Sequence, residues 1–192
     1  NTLSGGKYGC NVGSVASNKF GRWYPSHYSF SGALTPACAS GLYTYMGDDA
    51  LGVSLTVKAH VPGSGAASAS DPVATRYTYS AAANSLVVAP VTIAGDNNGT
   101  AVSVTRLTSP AFPTMPTNTL WSAGQFPISD TYAFSRLAAA DGPYDLFKLT
   151  AAVNDADYPS SNPLIAPTST GTTRVRYGRL YLGNAYGSEL LP

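Results

Sequence analysis

Two histidines, two cysteines and ten acidic residues carry most of the reactive chemistry open to this 192-residue chain. Nucleophilic catalysis needs a base beside the nucleophile, and imidazole is the usual one. His60 closes the alternating run "GVSLTVKAHV" on its polar side, where a solvated surface imidazole is expected. His27 follows Pro25 and Ser26 in "GRWYPSHYSF", with no Ser or Cys motif to serve as its nucleophile. "GSGAAS" at residues 63–68 lacks the third glycine and the strand-turn-helix setting of a dinucleotide fingerprint, so it reads as a loop. With no base-plus-nucleophile pattern, the expectation is a protein without enzymatic activity.

Metal chemistry has equally thin support. The cysteines and histidines do not fall at zinc spacing. Calcium takes clustered oxygens, and the candidates are Asp96 and Asn98 in "GDNNGT" with Asp155 and Asp157 in "NDAD"; Asp48 and Asp49 form a third acidic loop. No bidentate Glu follows at calcium-loop spacing, and Asx-rich turns commonly form for backbone reasons. No cofactor is therefore expected, with calcium the sole candidate. The acidic residues also offer no preferred pair for glycoside hydrolysis. Trp23, Tyr24 and Trp121 are candidate ligand-binding aromatics for a sugar or protein, although strand aromatics first serve sheet packing. Cys10 and Cys38, an even pair in a turn-rich chain, suggest a disulfide and an oxidising compartment.

The elements that must position these groups are strands. In residues 52–61, Val53, Leu55, Val57, Ala59 and Val61 alternate with Ser54, Thr56, Lys58 and His60, the period of a half-buried strand. Weaker versions recur in "LYTYM", "TRYTYSA", "SLVVAPVTI", "TAVSVTRL", "TYAFSRL", "YDLFKLTAAV" and "RVRYGRLYL", each bounded by turn formers. "ISDTYAFSRLAAADG" fits a short capped helix as well as a strand. The Pro-rich stretch at residues 109–127 should be a long ordered loop, pinned by Trp121 and Phe126. "PGSGAASASDP" and "YPSSNPLIAPTSTGTT" should connect elements. The pattern predicts an all-β antiparallel sandwich, immunoglobulin-like or an elaborated jelly roll, with long loops and at most one or two short helices. Without a repeat or a compositional break, residues 1–192 form one elaborated domain.

Charged residues make up only 11% of the chain, against about 25% in ordinary domains. A net charge of +1 without a basic cluster excludes a nucleic-acid footprint. No apolar run approaches the roughly 20 residues of a membrane-spanning helix.

One block is more specific than any of this. "RYGRLYLGNAYGSELLP" at residues 176–192 resembles the end of the conserved region of MshQ-type proteins, which are associated with biogenesis of the mannose-sensitive haemagglutinin (MSHA) type IV pilus of Gram-negative bacteria. "FGRWYPSHYSF", "ACASGLYTYMG" and "GPYDLFKLTAAVNDAD" are similar to earlier blocks of that family in the same order. Ser26 replaces a frequent Asp, and Asp48 and Asp49 replace a more apolar continuation. The resemblance implies structural roles for Tyr177, Gly178, Asn184 and Gly187, and supplies no catalytic activity. It implies a region of a longer multidomain bacterial surface protein, extracellular or outer-membrane-associated, acting in adhesion, display or assembly. Its partners would be flanking β domains, pilus or cell-surface components, glycans, or further copies of itself by strand addition.

Overall fold

The computed structural model describes residues 24–81, 88–155 and 164–178, and the backbone of two short strands ahead of them. In chain order the strands are β1 (Thr2–Leu3), β2 (Lys7–Tyr8), β3 (His27–Thr35), β4 (Tyr43–Tyr45), β5 (Leu51–His60), β6 (Val91–Asn97), β7 (Thr100–Val102), β8 (Leu107–Thr108), β9 (Gln125–Phe134), β10 (Tyr144–Val153), β11 (Leu164–Ile165) and β12 (Thr173–Arg176). A single 3₁₀ turn, Val104–Arg106, is the only helical element among the described residues.

Two five-stranded sheets, ordered β4-β12-β10-β6-β7 and β11-β3-β5-β9-β8, form an all-β sandwich, as expected. The pairing is less uniform than expected. The β10–β6, β3–β5 and β5–β9 ladders are antiparallel, whereas β11 joins β3 and β12 joins β4 in parallel, so both sheets are mixed. The parallel pairs span only two and three residues, a difference that period-two patterning cannot reveal.

Burial follows the pleat. Leu51, Val53, Leu55, Val57 and Ala59 of β5 point into the core, and Phe126, Ile128, Tyr132 and Phe134 of β9 do the same beside them. This alternation settles the ambiguous "ISDTYAFSRLAAADG" as strand through Phe134, because a helix could not bury those four side chains beside Val57, Leu55 and Leu51. The rings of Phe134 on β9 and Phe147 on β10 meet edge to face at 5.4 Å, joining one sheet to the other.

Other expectations shift. Residues 76–81 of "TRYTYSA" form no strand, since Tyr77 instead packs into the core and its carbonyl accepts from Gly124 N. "TAVSVTRL" is interrupted by the 3₁₀ turn. "RVRYGRLYL" is strand up to Arg176, and its last residues lie outside the described residues. The Pro-rich stretch is a long loop as far as Gly124, pinned by Trp121 at 1% exposed, whereas Gln125, Phe126 and Pro127 already belong to β9, where Phe126 pairs with Val57.

Candidate functional site

The most reactive grouping lies on the outer face of the β3–β5 pair. Tyr28 and Ala59 point to the core, so their neighbours His27 and His60, paired in register, point outward. The chain after β5 then turns back. Val61 N donates to Pro72 O and Ala74 N to Ala59 O, at 3.0 and 2.9 Å, which brings residues 68–71 over the two imidazoles.

The rings stack with centroids 4.9 Å apart and planes within 7°. His60 Nδ1 donates to Asp71 O at 2.7 Å, leaving Nε2 to accept from Ser29 Oγ at 2.7 Å. His27 Nε2 donates to Ser68 O at 3.0 Å and lies 3.4 Å from Asp71 Oδ2, while Nδ1 faces Ser26 Oγ at 3.3 Å. Asp71 is held in turn by Ser68 N at 3.0 Å. A Cβ on Gly63 would sit 2.2 Å from Asp71 Oδ1, so the glycine expected in a loop is there for close approach.

His60 is therefore not the solvated imidazole expected from its polar-face position. It is fully buried, and His27 is 2% exposed. Alternation placed the side chain on the correct face, but the returning segment covers that face. Ser29 and His60 have the separation of a nucleophile–base pair, with a main-chain carbonyl orienting the far ring nitrogen. Ser29 itself is only 6% exposed.

Two further polar networks lie inside the fold. Ala89 N donates to Tyr77 OH, Tyr77 OH to Tyr28 OH and Tyr28 OH to Asp155 Oδ2, at 2.6, 3.1 and 2.7 Å. Burial, reinforced by Tyr77 and Asp155, pushes the Tyr28 hydroxyl far above the ordinary phenol range. Arg106 forms the second network, with Asp141, Tyr144, Ser135 O and the sulfur of Met46. Arg106 first of all holds the Asp141 carboxyl below its usual range, with burial opposing. No motif pointed to this group: Arg106 and Asp141 lie 35 residues apart and meet only in the fold.

The candidate calcium residues are not gathered. Asp96 pairs with Lys148 at 3.6 Å and accepts from Gly99 N, whereas Asp155 serves Tyr28 beyond the other end of the β6–β10 ladder. Asn98 and Gly99, at φ of 52° and 87°, turn the β6–β7 hairpin, which gives that loop a backbone role. Asp157 lies outside the described residues. Among the described residues no three His, Cys, Asp or Glu side chains group as metal ligands.

Trp121 is corrected from candidate platform to core residue. It is 1% exposed, packs against Tyr28, Tyr77 and Phe126, and donates Nε1–H to Ala89 O at 2.9 Å. Tyr24 is 49% exposed and stands at a groove of about 490 Å³ with Pro25, Val61, Pro62, Val73 and Arg76 along its walls. Trp23 lies outside the described residues, as do Asn184 and Gly187. Tyr177 packs on the core edge beneath Arg136, and Gly178 lies against the Tyr45 ring.

Cys38 carries a free thiol, so the expected Cys10–Cys38 disulfide has no support; Cys10 lies outside the described residues. Its Sγ is 3.6 Å from Ser40 Oγ in the short loop closed by the Cys38–Tyr43 bridge. Hydrogen bonds, first from Ser40, hold the thiol below its ordinary range and favour thiolate. We therefore expect a thiol reagent to label the native protein at Cys38, and Cys38→Ser to remove that labelling. Native protein inert at this position until reduced would restore the disulfide.

A family model described as DUF6701, third domain, matches residues 4–179. No curated protein and no solved structure matches the chain.

Proposed function

We propose that this chain, which belongs to the DUF6701 third-domain family, is a non-catalytic β-sandwich module of a bacterial surface protein, MshQ-like and pilus-associated, that works by binding and display. The observation that carries this reading is the contrast between closed and open chemistry. His60, His27 and Arg106 are each less than a tenth exposed and bonded within the fold, whereas the groove beside Tyr24 is open and largely apolar. Buried reactive groups without access hold structure, while an open apolar concavity with an aromatic rim suits recognition. No described helix is long and apolar enough to cross a membrane. The extracellular setting rests on the family resemblance, since Cys38 is free.

The partners proposed are flanking β domains, pilus or cell-surface components, and glycans that can lie on Tyr24. Titrating labelled protein with purified pilus subunits and a glycan panel should shift the resonances of Tyr24, Val61 and Arg76. Tyr24→Ala should weaken that binding about tenfold, the usual effect of losing one aromatic anchor. A fluorophosphonate should leave Ser29 unlabelled. Covalent labelling that vanishes in Ser29→Ala, or turnover lost with His60, would replace binding by catalysis.

A further inference from the structure

We propose that Asn98, at the tip of the β6–β7 hairpin, is an acceptor for N-linked glycan transfer. The inference rests on the surface setting proposed above, but its test reads Asn98 alone, so it can fail while binding at the Tyr24 groove stands, and the reverse.

Residues 98–100 read Asn-Gly-Thr, the acceptor pattern for N-glycosylation, in which a hydroxyl residue stands two positions after the modified amide. Such a pattern carries weight only where the fold leaves it open. Here β6 ends at Asn97 and β7 begins at Thr100, so Asn98 and Gly99 make the turn, and all three residues of the pattern are exposed. β7 is the last strand of its sheet, and no strand flanks the hairpin on that side. A Cβ built on Gly99 would meet nothing within 4 Å, which leaves room for an enzyme to close around the turn. The neighbouring amide is already used, since Asn97 Oδ1 accepts from Leu146 N at 3.0 Å. Asn98 is the exposed one.

Turn chemistry explains part of this pattern. The φ values of 52° at Asn98 and 87° at Gly99 are what a two-residue hairpin asks of Asn-Gly. They ask nothing of position 100, where Thr100 pairs with Asn97 and any strand former would serve. Asp96 adds a carboxylate two residues before the acceptor. Its partner Lys148 lies at 3.6 Å and both side chains are partly exposed, a surface pair that a cationic enzyme can displace at little cost.

Transfer takes a glycan carried on a lipid diphosphate. Asn98 Nδ2 bonds to the anomeric carbon as the bond from that carbon to the diphosphate oxygen breaks; the diphosphate leaves with the electron pair, and the amide proton passes to a carboxylate of the transferase. A glycan held here would also shield the free edge of β7 from pairing with further copies.

The test incubates the folded, intact chain with a bacterial oligosaccharyltransferase and a lipid-diphosphate-linked oligosaccharide, read by intact mass and by fragmentation of the hairpin peptide. One glycan is expected, on Asn98, and Asn98→Gln should abolish it. Thr100→Val keeps the side-chain shape and the strand preference without the hydroxyl, so it should lose transfer while its Tm matches wild type. No added mass on the folded chain, a glycan on another residue, transfer confined to unfolded chain, or undiminished transfer in Thr100→Val would overturn the proposal.

Discussion

Arg106→Ala is expected to lower the unfolding free energy by about 3 kcal/mol, read by denaturant titration, with a fall in Tm of roughly 6–12 °C. Arg106 is only 7% exposed, and its guanidinium binds parts of both sheets together. Nε and Nη2 donate to Ser135 O, just after β9, at 3.1 and 2.7 Å. Nη1 reaches Asp141 and, at 3.1 Å, Tyr144 OH on β10; Nη2 meets Asp141 Oδ1 at 3.2 Å and Met46 Sδ at 3.4 Å. Its plane also lies 4.4 Å over the Phe134 ring. Truncation leaves a carboxylate, a carbonyl and a phenol without their shared donor. The Asp141 side chain is 22% exposed, so water recovers part of the loss, which places the effect at the lower end for a broken buried pair.

The pH dependence distinguishes this origin from packing. Asp141 has a lowered folded-state pKa, caused first by Arg106. Its contribution is fully present above the ordinary carboxylate range, near about pH 4, and is lost as pH falls through the depressed folded value. Wild type and Arg106→Ala should therefore differ most near neutrality and converge in acid. Arg106→Lys keeps charge without the planar fork, so it should fall between the two. A loss below about 0.5 kcal/mol, or a gap that does not narrow in acid, would mean that the pair carries no such weight.

The degree to which this was legible in sequence depended on the range of the interaction. Alternation identified β5 and its buried side, because each residue there answers only to the pleat and the core. It also put His60 on the outer face correctly. What alternation could not show is a loop: residues 61–74 have no period, yet their fold-back decides whether His60 meets water. The His27–His60 match needed the β3–β5 register, and Arg106 needed a turn, a loop and two sheets placed together. The parallel edge strands were hidden for the same reason, since two or three residues carry no direction in their pattern.

Trp121 is the residue where a sequence-level suspicion of binding and the observed role diverge most, and Trp121→Ala should be the most destabilising single change, at about 3–5 kcal/mol. The indole is 1% exposed and lies among Tyr28, Tyr77 and Phe126, at centroid distances of 5.9, 5.0 and 5.7 Å. Its loop has no ladder of its own, so side chains anchor it: the indole most deeply, with Phe112 stacked on Tyr132 and Met115 and Leu120 packed against the core. The main chain depends on it as well: Tyr79 N donates to Trp121 O, and Nε1–H satisfies Ala89 O, whose own amide is held by Tyr77 OH. Removing the ring opens a cavity and also leaves Ala89 O without its donor, two costs that add at one site. Trp121→Phe should recover much of the packing but not the hydrogen bond, and so cost about 1–3 kcal/mol. Denaturation midpoints of the two variants, with near-ultraviolet circular dichroism to confirm a native core, would measure both. A stable Trp121→Ala protein with lost glycan binding would instead return the indole to a ligand site and undo its assignment to the core.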